Sequence, residues 1–118
     1  MNKIKVNKGN FDIGQFELKD KLFNIGRHTS NDLSLNDSTV SGEHARITSI
    51  MKTSYIQDLG STNGTFVNGR KVQQQVLRND DIVTIGEYSI MFISEDLEVK
   101  PSKDRDIAKT VFVAPLKS

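Results

Sequence analysis

The sequence predicts an all-β sandwich, on three observations. Apolar and polar residues alternate in short runs, the period of strands with one buried face. About ten such runs recur at roughly 8–12-residue spacing, which suits a sandwich of short strands. Turn-forming clusters separate them, at Lys8-Gly9-Asn10, Gly26, Asn63-Gly64, Asn68-Gly69, Asn79-Asp80-Asp81 and Gly86-Glu87. With 118 residues, 36% of them hydrophobic, the chain can fill one modest core.

In chain order, Ile4-Lys5-Val6 is the first alternating run, and Lys8-Gly9-Asn10 turns it. Phe11, Ile13, Phe16 and Leu18, with Gly14 among them, form a second hairpin element. Leu22-Phe23-Asn24-Ile25 follows, and Gly26 stops it. The polar loop His28-Thr29-Ser30-Asn31-Asp32 leads to Leu33 and Leu35, which alternate with Ser34 and Asn36. Residues 37–42 form another loop. Ala45 and Ile47 are then expected on one face, with His44, Arg46 and Thr48 on the other. Tyr55-Ile56-Gln57-Asp58-Leu59 continues that pattern. Thr65-Phe66-Val67 is short, β-branched and aromatic, which suits a strand.

Val72, Val76 and Leu77 sit at helical spacing. Asn79-Asp80-Asp81 resets the chain so soon afterwards that an extended or irregular connection is expected instead. Asp81-Ile82-Val83-Thr84-Ile85 and Tyr88-Ser89-Ile90-Met91-Phe92-Ile93 are strands joined tightly through Gly86-Glu87. Tyr55, Phe66 and Phe92 are expected in the core. From Glu95 the composition shifts to charges with Pro101 and no clear period. The expected division is a domain over 1–96 and a charged linker and tail over 97–118.

Charge and composition exclude several classes. Sixteen basic against 15 acidic residues leave a net charge of +1, without the basic stripe of a dedicated nucleic-acid binder. No Cys and only two His argue against disulfides and metal-ligand clusters, so neither metal nor cofactor is expected. The first 20 residues lack the apolar run of a signal peptide. No stretch approaches the ~20 apolar residues of a membrane helix. The expectation is a soluble, cytoplasmic chain with no nucleic-acid or membrane partner.

Function points to the stretch Asp58-Leu59-Gly60-Ser61-Thr62-Asn63-Gly64-Thr65, with Val67-Asn68-Gly69 just beyond. Each Asn-Gly pair is a signal for a tight strand reversal, which would leave Ser61, Thr62 and Asn63 at a scaffold rim. Two further constellations precede it: Gly26-Arg27 and Ser41-Gly42-Glu43-His44. All three fall at strand ends or in loops, so a sandwich could gather them at one end. Together they offer one guanidinium, several hydroxyls, a carboxamide and glycine-flanked amides. An arginine fork matches phosphate oxygens bidentately, so the set suits a phosphate monoester better than a carboxylate.

In this order and spacing the motifs resemble the forkhead-associated (FHA) domain, over roughly Met1 to Glu95 and including Leu77 and the 80–86 segment. The resemblance implies an eleven-stranded β-sandwich of the FHA/SMAD-like type, with loops at one end that bind phosphothreonine peptides in kinase signalling. It casts Arg27 and Ser41 as principal phosphate ligands and gives Thr62 a further hydroxyl or backbone contact. Asn63 would hold the peptide main chain, and Gly26, His44 and Gly64 would shape the loops. The 86–88 loop would read the third residue after the phosphothreonine. Where the family often carries Asn, Arg or Lys after the motif serine, this chain has Gly42, which offers only its amide. Glu43 adds a negative charge nearby, with His28, Arg46 or Lys52 as possible compensation.

Other readings stand beside this one. Asn63 could serve only as a positive-φ turn residue. Ser41, His44 and Asp58 could form a hydrolase triad, although no nucleophile elbow occurs and strand alternation would aim Ser41 and His44 differently. An FHA-like scaffold could also bind partners without phosphate. In the tail, Thr110 with Val113 three residues on could, once phosphorylated, engage its own or a neighbouring domain. The expected activity is binding, not catalysis.

Overall fold

The computed structural model describes residues 2–94; the whole of the expected tail, Thr110 included, lies outside them. Among the described residues, eleven strands form two sheets. They are β1 (Lys3–Lys8), β2 (Phe11–Glu17), β3 (Leu22–Gly26), β4 (Leu33–Ser34), β5 (Ala45–Ile50), β6 (Thr53–Asp58), β7 (Thr65–Val67), β8 (Arg70–Val72), β9 (Gln74–Leu77), β10 (Ile82–Ile85) and β11 (Tyr88–Ile93). One sheet has the order β2-β1-β11-β10-β7-β8, the other β4-β3-β5-β6-β9. The β3–β4 pair is parallel and the other neighbouring strands are antiparallel.

Alternation builds the core between the sheets. Ile4 and Val6 of β1, Val83 and Ile85 of β10, and Ile90 and Phe92 of β11 are buried on one side. Ile25, Ala45, Ile47 and Ile56 are buried from the other sheet. Each large side chain removed from water contributes about 1.5–3 kcal/mol, so one such layer can hold a domain without disulfides. A bulge that leaves Ile13 without a register partner, opposite the step from Val6 to Asn7, bends the long edge strand β2.

Several expectations change in detail. Tyr55 and Phe66 are only half-buried, because Ser54, Ile56, Thr65 and Val67 occupy the inward phase of their strands. Phe11 and Ile13 are exposed on the edge strand. Thr48 is buried although it was expected on the outer face. The connection over 70–77 is extended, as expected, but regular rather than irregular. It is two strands, β8 closing a hairpin on β7 and β9 crossing to pair with β6 in the other sheet.

Strand directions sort the loops by end. β3 finishes, β5 starts, β6 finishes and β7 starts at one end, which carries the 27–32, 35–44 and 59–64 loops. The 19–21 loop and the β5–β6 turn at 51–52 lie at the other.

Candidate functional site

The first two loops are laced together by backbone. Arg27 N–H donates to Ser41 O at 2.9 Å, and His28 N–H to Gly42 O at 3.2 Å. Asn31 Nδ2 adds a bond of 2.8 Å to the same Gly42 carbonyl. This approach requires glycine at 26, because a Cβ there would stand 2.2 Å from Gly42 O. His28 packs against Gly42, where an added Cβ would meet the imidazole at 2.6 Å.

The second and third loops are joined from inside by His44, which is fully buried. Its Nδ1 accepts the Ser41 N–H at 3.0 Å, and its Nε2 lies 2.8 Å from Gly64 O. Those partners assign the proton to Nε2, since a carbonyl can only accept. On the rim, Ser41 Oγ accepts the Thr62 N–H at 3.0 Å, and Asn63 Nδ2 donates to Thr39 O at 2.9 Å.

Asp58 anchors the third loop. Its carboxylate accepts the hydroxyls of Ser61 and Thr65 and the amides of Gly60 and Ser61. Burial pushes this carboxyl up, but the four hydrogen bonds outweigh it and hold the group below the usual carboxylate range. Asp37 anchors the second loop in the same way, accepting Thr39 N–H and Oγ1–H. Lys8 Nζ stands 2.8 Å from Asp37 Oδ2 and 5.5 Å from the Tyr88 ring centroid. The hydrogen bond from Lys8 and those from Thr39 hold the Asp37 carboxyl well below its ordinary value.

The loops enclose a cleft of about 310 Å³ lined by Arg27, Thr39, Ser41, Gly42, Thr62 and Asn63, together with Ser38 and Val40. Arg27, Ser41, Gly42, Thr62 and Asn63 therefore share one cavity, with Gly26, His44 and Gly64 behind it. Arg27 spends one N–H on Val40 O at 3.1 Å, leaving most of its fork uncommitted. Ser41 Oγ is already an acceptor for Thr62, so its own proton can go to a ligand. Such an array of donors is built for an oxyanion.

The sequence model of the FHA domain matches residues 23–86. The chain belongs to the FHA domain family. Among curated relatives, this FHA domain is 36% identical over 91 residues to the glycogen accumulation regulator GarA of Mycobacterium tuberculosis, covering 77% of this chain and 56% of GarA. It is 33% identical over 95 residues to the oxoglutarate dehydrogenase inhibitor of Corynebacterium jeikeium, covering 80% of this chain and 66% of that one. The chain thus spans little more than half the length of the GarA relatives.

Among solved structures, one determined for phosphothreonine-dependent FHA domain interactions superposes with a TM-score of 0.75 at 28% identity, covering 81% of this chain and 98% of that one. The FhaA FHA domain, solved with the intracellular domain of Rv3910, gives 0.72 at 28% identity, covering 78% and 99%.

Several residues lie away from their expected roles. Asn63 does not have positive φ; in that pair only Gly64 does, at 91°. Lys52 is at the opposite end, and Arg46 spends its Nε on Asn24 Oδ1 at 2.8 Å. Of the three candidate compensating residues, only His28 stands beside Gly42. Ser41, His44 and Asp58 do not assemble as a triad, because both imidazole nitrogens are engaged by backbone and Asp58 faces Ser61 and Thr65. Sequence reasoning missed Thr39, Asp37 and Lys8. Asp37 and Thr39 carry the signature of an Asx turn, whereas Lys8 is 29 residues from its partner and gives no local signal. Among the described residues, no cluster of His, Asp or Glu could hold a metal, and no helix is long and apolar enough to cross a membrane.

Proposed function

We propose that this FHA domain is a non-catalytic module that binds phosphothreonine-containing peptides or proteins in Ser/Thr kinase signalling. The observation that carries the reading is the shared cleft, where the Ser41 hydroxyl proton and the Arg27 fork are both available to one anion. Arg27 takes the phosphate oxygens as a planar pair, Ser41 Oγ–H donates to a third, and the Gly42 and Thr62 groups complete the rim. Asn63, fixed by Thr39 O, keeps its carboxamide oxygen for the amides of an extended peptide. The names of the relatives, a regulator of glycogen accumulation and an inhibitor of oxoglutarate dehydrogenase, support a regulatory role by binding. Phosphorylated Thr110, in the same chain or a second copy, is one candidate ligand. Its phosphorylation is testable by mass spectrometry of the natively expressed protein.

The test is titration of a phosphothreonine peptide library by calorimetry or fluorescence anisotropy. Truncating one member of a desolvated charge pair costs about 2–5 kcal/mol. Arg27→Ala should therefore weaken binding about 30-fold or more, at ~1.4 kcal/mol per decade. Undiminished affinity in that variant would remove Arg27 from the site. Equal binding of the dephosphorylated peptide would favour the phosphate-independent scaffold.

A further inference from the structure

The end of the sandwich away from the phosphate-binding loops carries a second, larger cleft of about 590 Å³, between the 19–21 loop and the β5–β6 turn. Its lining sets three ammonium groups, Lys19, Lys21 and Lys52, against one carboxylate, Asp20. Lys19 lies 4.0 Å from Glu17, while Lys21 and Lys52 form no ion pair among the described residues.

Beside these cations stand two exposed apolar side chains, Ile50 at 48% and Met51 at 97%. Met51 occupies the first position of the two-residue turn joining Ile50 to Thr53, with φ of 57°. A glycine would hold that backbone without strain, and a polar residue would suit the exposure. The hairpin itself gains nothing from methionine here. A contact that covers it would.

The chain beyond Ser94 begins at this end. Ile93 pairs with Lys3, so extending the register sets Ser94 opposite Asn2, which lines the cleft. Ser94 N–H is held by Asn79 Oδ1 at 2.9 Å, which fixes the point of departure. The next residues are Glu95-Asp96-Leu97-Glu98-Val99, three carboxylates interleaved with two apolar side chains. They complement the cleft in charge and in kind. From β11 across β1 to β2 is two strand spacings, about 10 Å. Five extended residues span about 17 Å, which covers that distance.

We infer that residues 95–99 of this chain seat in the basic cleft, with Leu97 and Val99 against Ile50 and Met51 and the carboxylates toward Lys21 and Lys52. This contact is independent of phosphate binding at the other end. It would extend the folded unit past Ser94 and anchor the start of the remaining tail far from Arg27.

The absence of cysteine allows a clean test. In the full chain, Lys100→Cys carries a nitroxide, and amide signals are read by NMR. Besides the label's own neighbours in sequence from Ser94 onward, the inference expects strong broadening only at residues 2, 18–21 and 49–52, with residues 27, 41 and 62 unaffected. Reversing Glu95, Asp96 and Glu98 to Lys should abolish that broadening and shift the Met51 methyl signal, with Met91 as internal reference. Raising the salt to 1 M should weaken it as the pairs are screened. Broadening elsewhere, or broadening at the cleft that survives the charge reversal, would overturn the inference. A mixture of isotope-labelled chain and spin-labelled unenriched chain identifies the source. Cleft broadening in that mixture would assign the occupant to a second copy and overturn the intramolecular contact.

Discussion

At Asn68-Gly69 both residues are left-handed, with φ of 51° and 84°, and the pair turns Val67 directly onto Arg70. At Asn63-Gly64 only the glycine is left-handed, and the chain passes from β6 in one sheet to β7 in the other. The same dipeptide, five residues apart, thus sits at opposite ends of β7. Asn68 spends both ends of its carboxamide on the start of the neighbouring strand β10, donating to Asp81 Oδ1 and accepting the Ile82 N–H. Asn63 reaches into another loop, to Thr39 O. What separates them is the surroundings. Asp58, Ser61 and His44 already satisfy much of the backbone around Gly64, so the Asn63 side chain is released for a longer reach.

Four experiments break or sharpen this contrast. The largest effect is expected at Asp58, whose replacement by Ala strands two hydroxyls and two amides beside Asn63-Gly64. Hydrogen bonds to a charged group contribute about 1.5–3 kcal/mol each, so losing several should destabilise the domain by about 3 kcal/mol or more in urea unfolding. Peptide binding should go with it. Retention of full stability would show that the 59–64 loop holds itself.

Asn63→Ala should lower phosphopeptide affinity by about tenfold or more, equivalent to ~1.4 kcal/mol, while thermal stability changes little. Asn68→Ala should do the reverse. It loses two hydrogen bonds and a residue suited to positive φ, at a cost of about 1–2 kcal/mol in unfolding, with peptide affinity unchanged. If both variants behaved alike, the division between a binding pair and a turn pair would fail.

The smallest effect is expected in acid. Asp58 and Asp37 are both held below the ordinary carboxylate value in the folded state. The stability they confer is therefore complete above about pH 4, their unfolded value, and is lost as pH falls through the lower folded values. Thermal melts should decline as the pH falls below about 4. The decline should be shallower in Asp37→Asn, and a parallel curve would remove Asp37 from the account.

Much of the scaffold was legible because alternation is strong where one face of a strand is buried, as in β1, β10 and β11. It faded at the edges. In β9 only Leu77 is buried, so the Gln-rich stretch carries no period, and nothing local announces that the chain changes sheets there. The cleft residues were legible because Arg27, Ser41, Thr62 and Asn63 sit in short motifs with recognisable spacing. The support from Lys8 to Asp37 was not, since it depends on which strand ends meet in three dimensions. Lys52 failed as a candidate for the same reason, because β5 carries the chain away from the site before the lysine appears.

The cross-ties among the binding loops bear on timing. Ser41 to Thr62, Asn63 to Thr39 and His44 to Gly64 tie the loops to one another through the protein's own groups, so little of the receptor must be ordered on capture. Encounter should then be quick, at about 10⁶ M⁻¹ s⁻¹ or faster, and differences among peptides should fall mostly on how long each one stays. A phosphatase can reach the mark only between visits. The residence time in this cleft would then set how long a signal persists after its kinase falls silent.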